Sequence, residues 1–216
     1  MLLPIGGILD AAALDRLRGL LARASWQDGR GTAGVVAAAV KRNLQADPAD
    51  PATRAAAAEL EAALRAHPVF TAAALPLRLT RPLFSRTPPG GGYGRHADNA
   101  LMGEGPGTVR TDLAWTLFLG GEVTGGALVI EDAGGEREVA PEAGLLVLYP
   151  AGSLHRVAPV LSGERLAAFG WVQSRVRDAA RRALLFDLHL AETGAEDAAL
   201  RVQLARANLL RMWAEG

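Results

Sequence analysis

Tyr93-Gly94-Arg95-His96-Ala97-Asp98-Asn99 is the stretch around which this 216-residue chain is organised. Alternate side chains of an extended strand share a face, so His96 and Asp98 fall on one side with Cα atoms roughly 7 Å apart. Both can therefore reach a single point. The downstream histidine in a comparable setting is His155, in the strand-like Leu154-His155-Arg156-Val157. Taken alone, a His-x-Asp is common by chance and a strand histidine is ordinarily a half-buried, hydrogen-bonded one. The meaning of these residues rests on what surrounds them.

Two imidazoles and one carboxylate on one face of a metal, with other positions left open, form the arrangement used by non-haem iron(II) oxygenases. Arg165 follows His155 by ten residues, across a Ser162-Gly163 turn, and opens the apolar run Leu166-Ala167-Ala168-Phe169-Gly170-Trp171. An arginine directed into a core is costly unless an anion pairs with it, and its planar fork suits two-point contact with a carboxylate. A five-carbon diacid such as 2-oxoglutarate would span from a metal at its 2-oxo acid end to Arg165 at the other. If the last two strands form a hairpin, His155 and Arg165 are offset by roughly 17 Å along it.

Composition narrows the chemistry. Lys plus Arg and Asp plus Glu are 23 each, so no net field favours nucleic acid or an anionic membrane surface. There is no cysteine, which excludes disulfides, zinc-thiolate sites, iron-sulfur clusters and cysteine nucleophiles. Metal chemistry must use histidine and carboxylate. Met1 to Leu9 is apolar but lacks a basic leader and contains Pro4, Gly6 and Gly7, so it reads as a short strand. The alanine-rich stretches are too interrupted to span a bilayer, and a soluble cytoplasmic protein is expected.

Outward from the central stretch the periodicity changes twice. Before it, Asp10 caps a helix with Leu14, Leu17 and Leu21 on one face, ending near Ser25. Residues 27–34 read as a loop. Asp47-Pro48-Ala49-Asp50-Pro51 starts a second helix, with Ala56, Leu60 and Leu64 on one face and Pro68 as its stop. From about Leu75, short apolar runs split by Gly and Pro predict strands at 75–79, 83–86, 113–119, 127–130, 136–139, 145–149, 154–160 and 166–172. Many short strands with such turns argue for a sandwich or barrel. Past Ser174 the chain turns helical again, with Ala180, Leu184 and Leu188 on one helix and Leu200, Leu204, Ala207 and Leu210 on another. The division expected is an N-terminal helical segment (1–75) packing on the core, a core (76–177), and C-terminal helices (178–216).

Taken together, Tyr93-Gly94-Arg95-His96-Ala97-Asp98, Val109-Arg110-Thr111-Asp112-Leu113, Thr116-Leu117-Phe118-Leu119, Gly125-Gly126-Ala127-Leu128-Val129, Leu145 to Pro150 with Leu154-His155, and finally Arg165 and Trp171 resemble the iron(II)- and 2-oxoglutarate-dependent dioxygenases. More narrowly they resemble the bacterial PKHD-type, prolyl-4-hydroxylase-like group, often linked to iron uptake. The likeness runs through nearly the whole chain. It implies a mainly β fold with flanking helices around a double-stranded β-helix, or jelly-roll, core, whose last two core strands lie in opposite sheets. It also implies iron ligands at His96, Asp98 and His155, Arg165 on the 2-oxoglutarate tail, O2 as second co-substrate, and L-ascorbate as an auxiliary cofactor.

Further positions follow. Arg86 and Tyr93 are candidates for the cofactor pocket, with Asn99 beside them. Arg110 and Asp112 read as a structural ion pair. Trp115 stands where the resemblance implies a small polar residue, and an inward-pointing ring would alter substrate scope. Phe118 stands where some animal prolyl hydroxylases carry tyrosine, so that residue's hydrogen bonding does not transfer. His67 and His189 lie outside the pattern. The reading is a hydroxylase acting on a small-molecule or peptidyl substrate, with homo-oligomerisation left open; Asp98 fills the position that related halogenases leave for chloride. A non-catalytic jelly-roll metal-binding or sensing protein is the alternative, and a zinc hydrolase a weaker one, since neither needs Arg165.

Overall fold

Apolar residues that alternate along the central strands must be covered on both sides, and the fold supplies one cover from helices and the other from a second sheet. The computed structural model describes residues 1–32, 41–103 and 105–213. Strand β1 (Leu3–Ile5) and helix α1 (Ala11–Ala22) lead to β2 (Trp26–Asp28), β3 (Lys41–Arg42) and β4 (Leu44–Ala46). Helices α2 (Pro51–Ala66) and α3 (Pro68–Ala74) follow. Then come β5 (Pro76–Leu79), β6 (Leu83–Thr87), β7 (Gly92–His96), β8 (Leu101–Met102), β9 (Val109–Arg110), β10 (Leu113–Gly120), β11 (Val123–Gly125) and β12 (Leu128–Asp132). The strands end with β13 (Gly135–Val139), β14 (Leu146–Pro150), β15 (His155–Val157), β16 (Val160–Gly163) and β17 (Arg165–Ser174), before helices α4 (Ala179–Glu192) and α5 (Ala198–Trp213).

The larger sheet runs β1-β14-β10-β17-β6-β4-β2 with β5 added against β17, and the smaller runs β13-β12-β15-β7-β3. This is a jelly roll with flanking helices. On the outer face of the large sheet, Leu113, Trp115, Leu117, Leu146, Leu148, Ala168 and Val172 pack against Leu17 and Leu21 of α1, Leu60 and Leu64 of α2 and Phe70 of α3. The inner face carries Ala114, Phe118, Val147, Tyr149 and Ala167 toward Leu128 and Ile130 of the opposite sheet. Side chains in β10 and β17 thus sort by odd and even number between the helix-side core and the interior.

The helix signals translate directly. The Asp10 carboxylate accepts from the Ala13 amide at 2.7 Å, and Asp50 accepts from Ala52 at 2.7 Å and Thr53 at 3.2 Å, each filling an orphan donor of a first turn. Ala56, Leu60 and Leu64 are all buried. Pro68 stops α2 but also serves as the first residue of α3, with His67 as its cap through Nδ1, which accepts from the Phe70 amide.

Four expectations shift. Residues 1–75 hold more than helices and the expected opening strand β1: β2 and β4 enter the large sheet and β3 the small one. Of the expected 27–34 loop, Gln27 and Asp28 pair with β4, Gly29–Thr32 form a 3-10 turn, and 33–34 lie outside the described residues. The expected strand 154–160 is two strands, because Ala158-Pro159 breaks the ladder and lets β16 pair with β11. His155 and Arg165 therefore lie in opposite sheets rather than along one hairpin. Finally, α5 turns Leu200, Leu204 and Leu210 outward at 63%, 45% and 56% exposure and buries Ala205. No helix among the described residues is long and apolar enough to cross a membrane.

Candidate active site

His96 is the last residue of β7, and β7 pairs with β15 so that His96 stands directly opposite His155. The neighbouring imidazoles are 4.3 Å apart between ring centres. Each ring is fixed from behind: His96 Nδ1–H donates to the Gly94 carbonyl at 2.8 Å and His155 Nδ1–H to the Ser153 carbonyl at 3.0 Å. A neutral imidazole whose Nδ1 carries the proton leaves Nε2 with its lone pair free for a metal. Asp98 lies just past the strand end, not on its face, yet its Oδ1 is 4.0 Å from His96 Nε2 and 3.8 Å from His155 Nε2. The three donor atoms lie within 4.8 Å of one another, a grouping that can hold a metal ion. Burial, and secondarily the neighbouring His155, push the pKa of His96 down, which favours the neutral, ligating form.

Across the interior from this cluster, Arg165 opens β17 and is 4% exposed. Its Nε–H donates to the Gly126 carbonyl at 2.8 Å, and the guanidinium lies 5.1 Å from the Phe118 ring. Gly126 has φ +67° and a Cβ there would press on the Arg165 Cδ at 3.1 Å, so a glycine is what lets the backbone carbonyl approach. No acidic side chain pairs with Arg165 among the described residues. Burial lowers its pKa to about 10, which still leaves it charged at neutral pH. Tyr149 sits edge-on to His155 at 5.3 Å, and burial, reinforced by Asp98, raises its pKa and keeps the hydroxyl protonated.

These groups share one cavity of about 200 Å³ between the sheets, which also receives Thr116, Ser85, Thr87, Phe169 and Trp171. Tyr93 belongs to it: its ring stacks on His96 at 3.7 Å, and burial followed by Asp98 lifts its pKa to about 12. Asn99 lines the same space. Arg86 does not. Its neighbours Ser85 and Thr87 face the cavity, so Arg86 faces the other way, ion-paired with Glu164 at 3.1 Å and stacked 4.4 Å from the Trp26 ring.

Trp115 sets its ring in the helix-side core against Gly170, and both residues also border the cavity. Arg110 and Asp112 form the expected ion pair at 2.7 and 2.8 Å, and Asp112 also accepts from the Ser174 amide at 2.8 Å. Burial pushes the Asp112 carboxyl up, but Arg110 and that amide outweigh it and hold the pKa below the usual range.

Sequence reasoning passed over Lys41, Asn43 and Gln45, all of which line the cavity. The signal was present in Lys41-Arg42-Asn43-Leu44-Gln45, where three polar side chains recur at every second position of an extended segment. As the chain crosses from β3 in the small sheet to β4 in the large one, that polar row faces inward. Burial, partly opposed by Asp28, lowers the pKa of Lys41 to about 8.

Comparison with known proteins decides the family. Residues 82–173 match the signature of the 2OG-Fe(II) oxygenase superfamily. A PKHD-type hydroxylase of Shewanella baltica is 44% identical over 223 aligned residues, covering 100% of both chains. The chain belongs to the PKHD-type hydroxylases. Another member, from Synechococcus elongatus, is 45% identical over the same full span. The enzyme's fold is shared with a Pseudomonas putida prolyl-4-hydroxylase, at TM-score 0.52 and 24% identity over 81% of this chain and 93% of that one. It is shared also with HygX of Streptomyces hygroscopicus, a structure with nickel, 2-oxoglutarate and hygromycin B bound, at TM-score 0.53 and 17% identity over 81% and 83%. The enzyme is an iron(II)- and 2-oxoglutarate-dependent dioxygenase, not the non-catalytic sensor considered as the alternative.

Proposed function

We propose that His96, Asp98 and His155 hold the iron and that Arg165 anchors the far carboxylate of 2-oxoglutarate during hydroxylation of a small-molecule or peptidyl substrate. The observation that carries this reading is the convergence of one buried and two half-buried donors within 4.8 Å, facing an interior that also holds a buried guanidinium with no acidic partner among the described residues. Bound there, Fe(II) would supply the centre at which O2 and 2-oxoglutarate react, with substrate C–H becoming C–OH as succinate and CO2 leave. The chain's own residues do the rest. The Gly94 and Ser153 carbonyls fix both imidazoles in the ligating tautomer. Asp98 adds one negative charge and occupies the position that a halide would need.

Arg165 offers charge and fork geometry at a point water cannot screen, so co-substrate binds in one orientation. Tyr149, Phe118 and Ala167 line that end and exclude water from it. L-ascorbate belongs to this proposal as a reductant that returns iron to the ferrous state after uncoupled turnover. A cytoplasmic location and self-association through the exposed leucines of α5 are proposed in the same way. Anaerobic addition of Fe(II) and 2-oxoglutarate should give the weak visible charge-transfer band of the chelate. His96→Ala should abolish it, and a band of equal strength in that variant would count against the ligand assignment.

A further inference from the structure

Both imidazoles of the donor cluster are fixed through Nδ1 by backbone carbonyls, whereas no hydrogen bond among the described residues restrains the Asp98 carboxylate. Strand β7 ends at His96, so Asp98 also lies outside the ladder. Its side chain is aimed only as well as its backbone is held. Pairing resumes in the β8–β9 hairpin, where Leu101 stands opposite Arg110, and the Thr111 amide then donates to the Ala100 carbonyl at 3.0 Å. The backbone ladder stops there, because the next amide, that of Asp112, donates to the Val172 carbonyl at 3.0 Å. A side chain takes over: Thr111 Oγ1–H donates to the Asn99 carbonyl at 2.7 Å. Among the described residues, the hydrogen bonds that 97–100 make to other parts of the chain both come from Thr111. Thr111 is itself fastened on either side, since the Arg110 amide meets Gln173 Oε1 at 3.4 Å and Asp112 Oδ2 accepts from the Ser174 amide at 2.8 Å, both at the end of β17.

We propose that Thr111 is a positioning residue for the metal centre: its hydroxyl fixes the Asn99–Ala100 peptide, one residue past Asp98, and so aims the Asp98 carboxylate at the point that His96 and His155 share. The inference rests on the ligand assignment given above. Ala97 and Asp98 form a two-residue bridge between fixed points, with His96 paired against His155 at one end and the Asn99 carbonyl held by Thr111 at the other. Without the hydroxyl the next fixed point is the Ala100 carbonyl, so a third residue is set free. A metal that gathers Asp98 must then order that residue as well, and ordering backbone opposes binding. Groups that orient a metal ligand from behind govern affinity in this way without touching the ion.

The test is a titration of the metal-free protein with Ni(II), without 2-oxoglutarate, read by competition with a chromophoric chelator. Ni(II) stands in for Fe(II) and binds nitrogen and oxygen donors more tightly, which brings even a two-histidine variant within range. Thr111→Val, close in shape and still carrying the amide but not the hydroxyl, should bind Ni(II) about threefold to tenfold more weakly, the worth of one hydrogen bond. Thr111→Ser, which keeps a hydroxyl, should restore most of that loss. On an Asp98→Ala background, Thr111→Val should have no further effect, because no carboxylate is left to aim, whereas a role in general folding would weaken both backgrounds alike. Wild-type affinity in Thr111→Val, an equal loss in the Val and Ser variants, or an equal loss on both backgrounds would overturn the proposal. Failure of the ligand assignment looks different: Asp98→Ala alone would then bind Ni(II) as wild type does.

Discussion

Replacing Arg165 with methionine should separate what this residue costs the fold from what it does for the co-substrate. The side chain is buried, and its pKa falls from 12.5 to about 10 through desolvation. At about 1.4 kcal/mol per pH unit, that corresponds to roughly 3 kcal/mol against keeping the charged form in the ligand-free protein. Methionine removes this cost and roughly keeps the volume, but leaves the Gly126 carbonyl without its donor, a loss of about 1–3 kcal/mol. The ligand-free variant should therefore be as stable as wild type or up to about 2 kcal/mol more stable.

Binding should move the other way, because truncating one partner of a buried charge pair costs about 2–5 kcal/mol, or roughly 30-fold to several thousand-fold in affinity for 2-oxoglutarate. Urea unfolding with and without metal and 2-oxoglutarate reads both quantities. Wild type should gain about 2.7 kcal/mol at a hundredfold excess over its Kd, and the variant at the same concentration less than about 1 kcal/mol. A variant that is clearly destabilised without ligand while retaining co-substrate affinity would refute the reasoning.

Asp98→Ala should abolish iron-dependent succinate formation and weaken metal binding while leaving the fold intact, as checked by metal content after dialysis and by circular dichroism. Asp112→Asn should cost about 2 kcal/mol, since it weakens the contacts to Arg110 and the Ser174 amide. Because the folded Asp112 pKa lies below 3.8, its stabilisation is present above that value and disappears as pH falls through the folded one. Wild type and Asp112→Asn should accordingly converge in stability on acidification, which paired unfolding curves at neutral and acid pH will show. Gly170→Ala should cost about 1–3 kcal/mol in thermal unfolding, because its Cβ would meet the Trp115 ring at 2.8 Å and Thr80 Oγ1 at 3.0 Å.

What was legible in the sequence depended on whether the signal was local. Helix starts at Asp10 and Asp50 use side chains that bond their own neighbours three or fewer residues away, so three letters of sequence sufficed. Short apolar runs bounded by turn residues, such as 113–119 and 166–172, announced strands for the same reason. The pairing of those strands is not local: the break at Ala158-Pro159 that sends His155 and Arg165 into opposite sheets is visible only with partners in place. Arg86 was misplaced for a simpler reason. Its face is set by whether Ser85 or Arg86 turns inward, and both choices read as polar. The row Lys41, Asn43 and Gln45 sat in a short polar segment whose alternation resembles a loop, and only the closure of the two sheets around it gives it an inside.

The odd-and-even sorting along β17 constrains how this enzyme family can drift. One residue inserted between 165 and 174 would carry the guanidinium of Arg165 into the leucines beneath the helices and push Leu166 and Ala168 toward the cluster, so co-substrate capture and the hydrophobic core would fail in one event. Length variation among homologues should therefore collect at hairpin tips such as Ala133-Gly134, whose residues are exposed, and be absent from the last core strand.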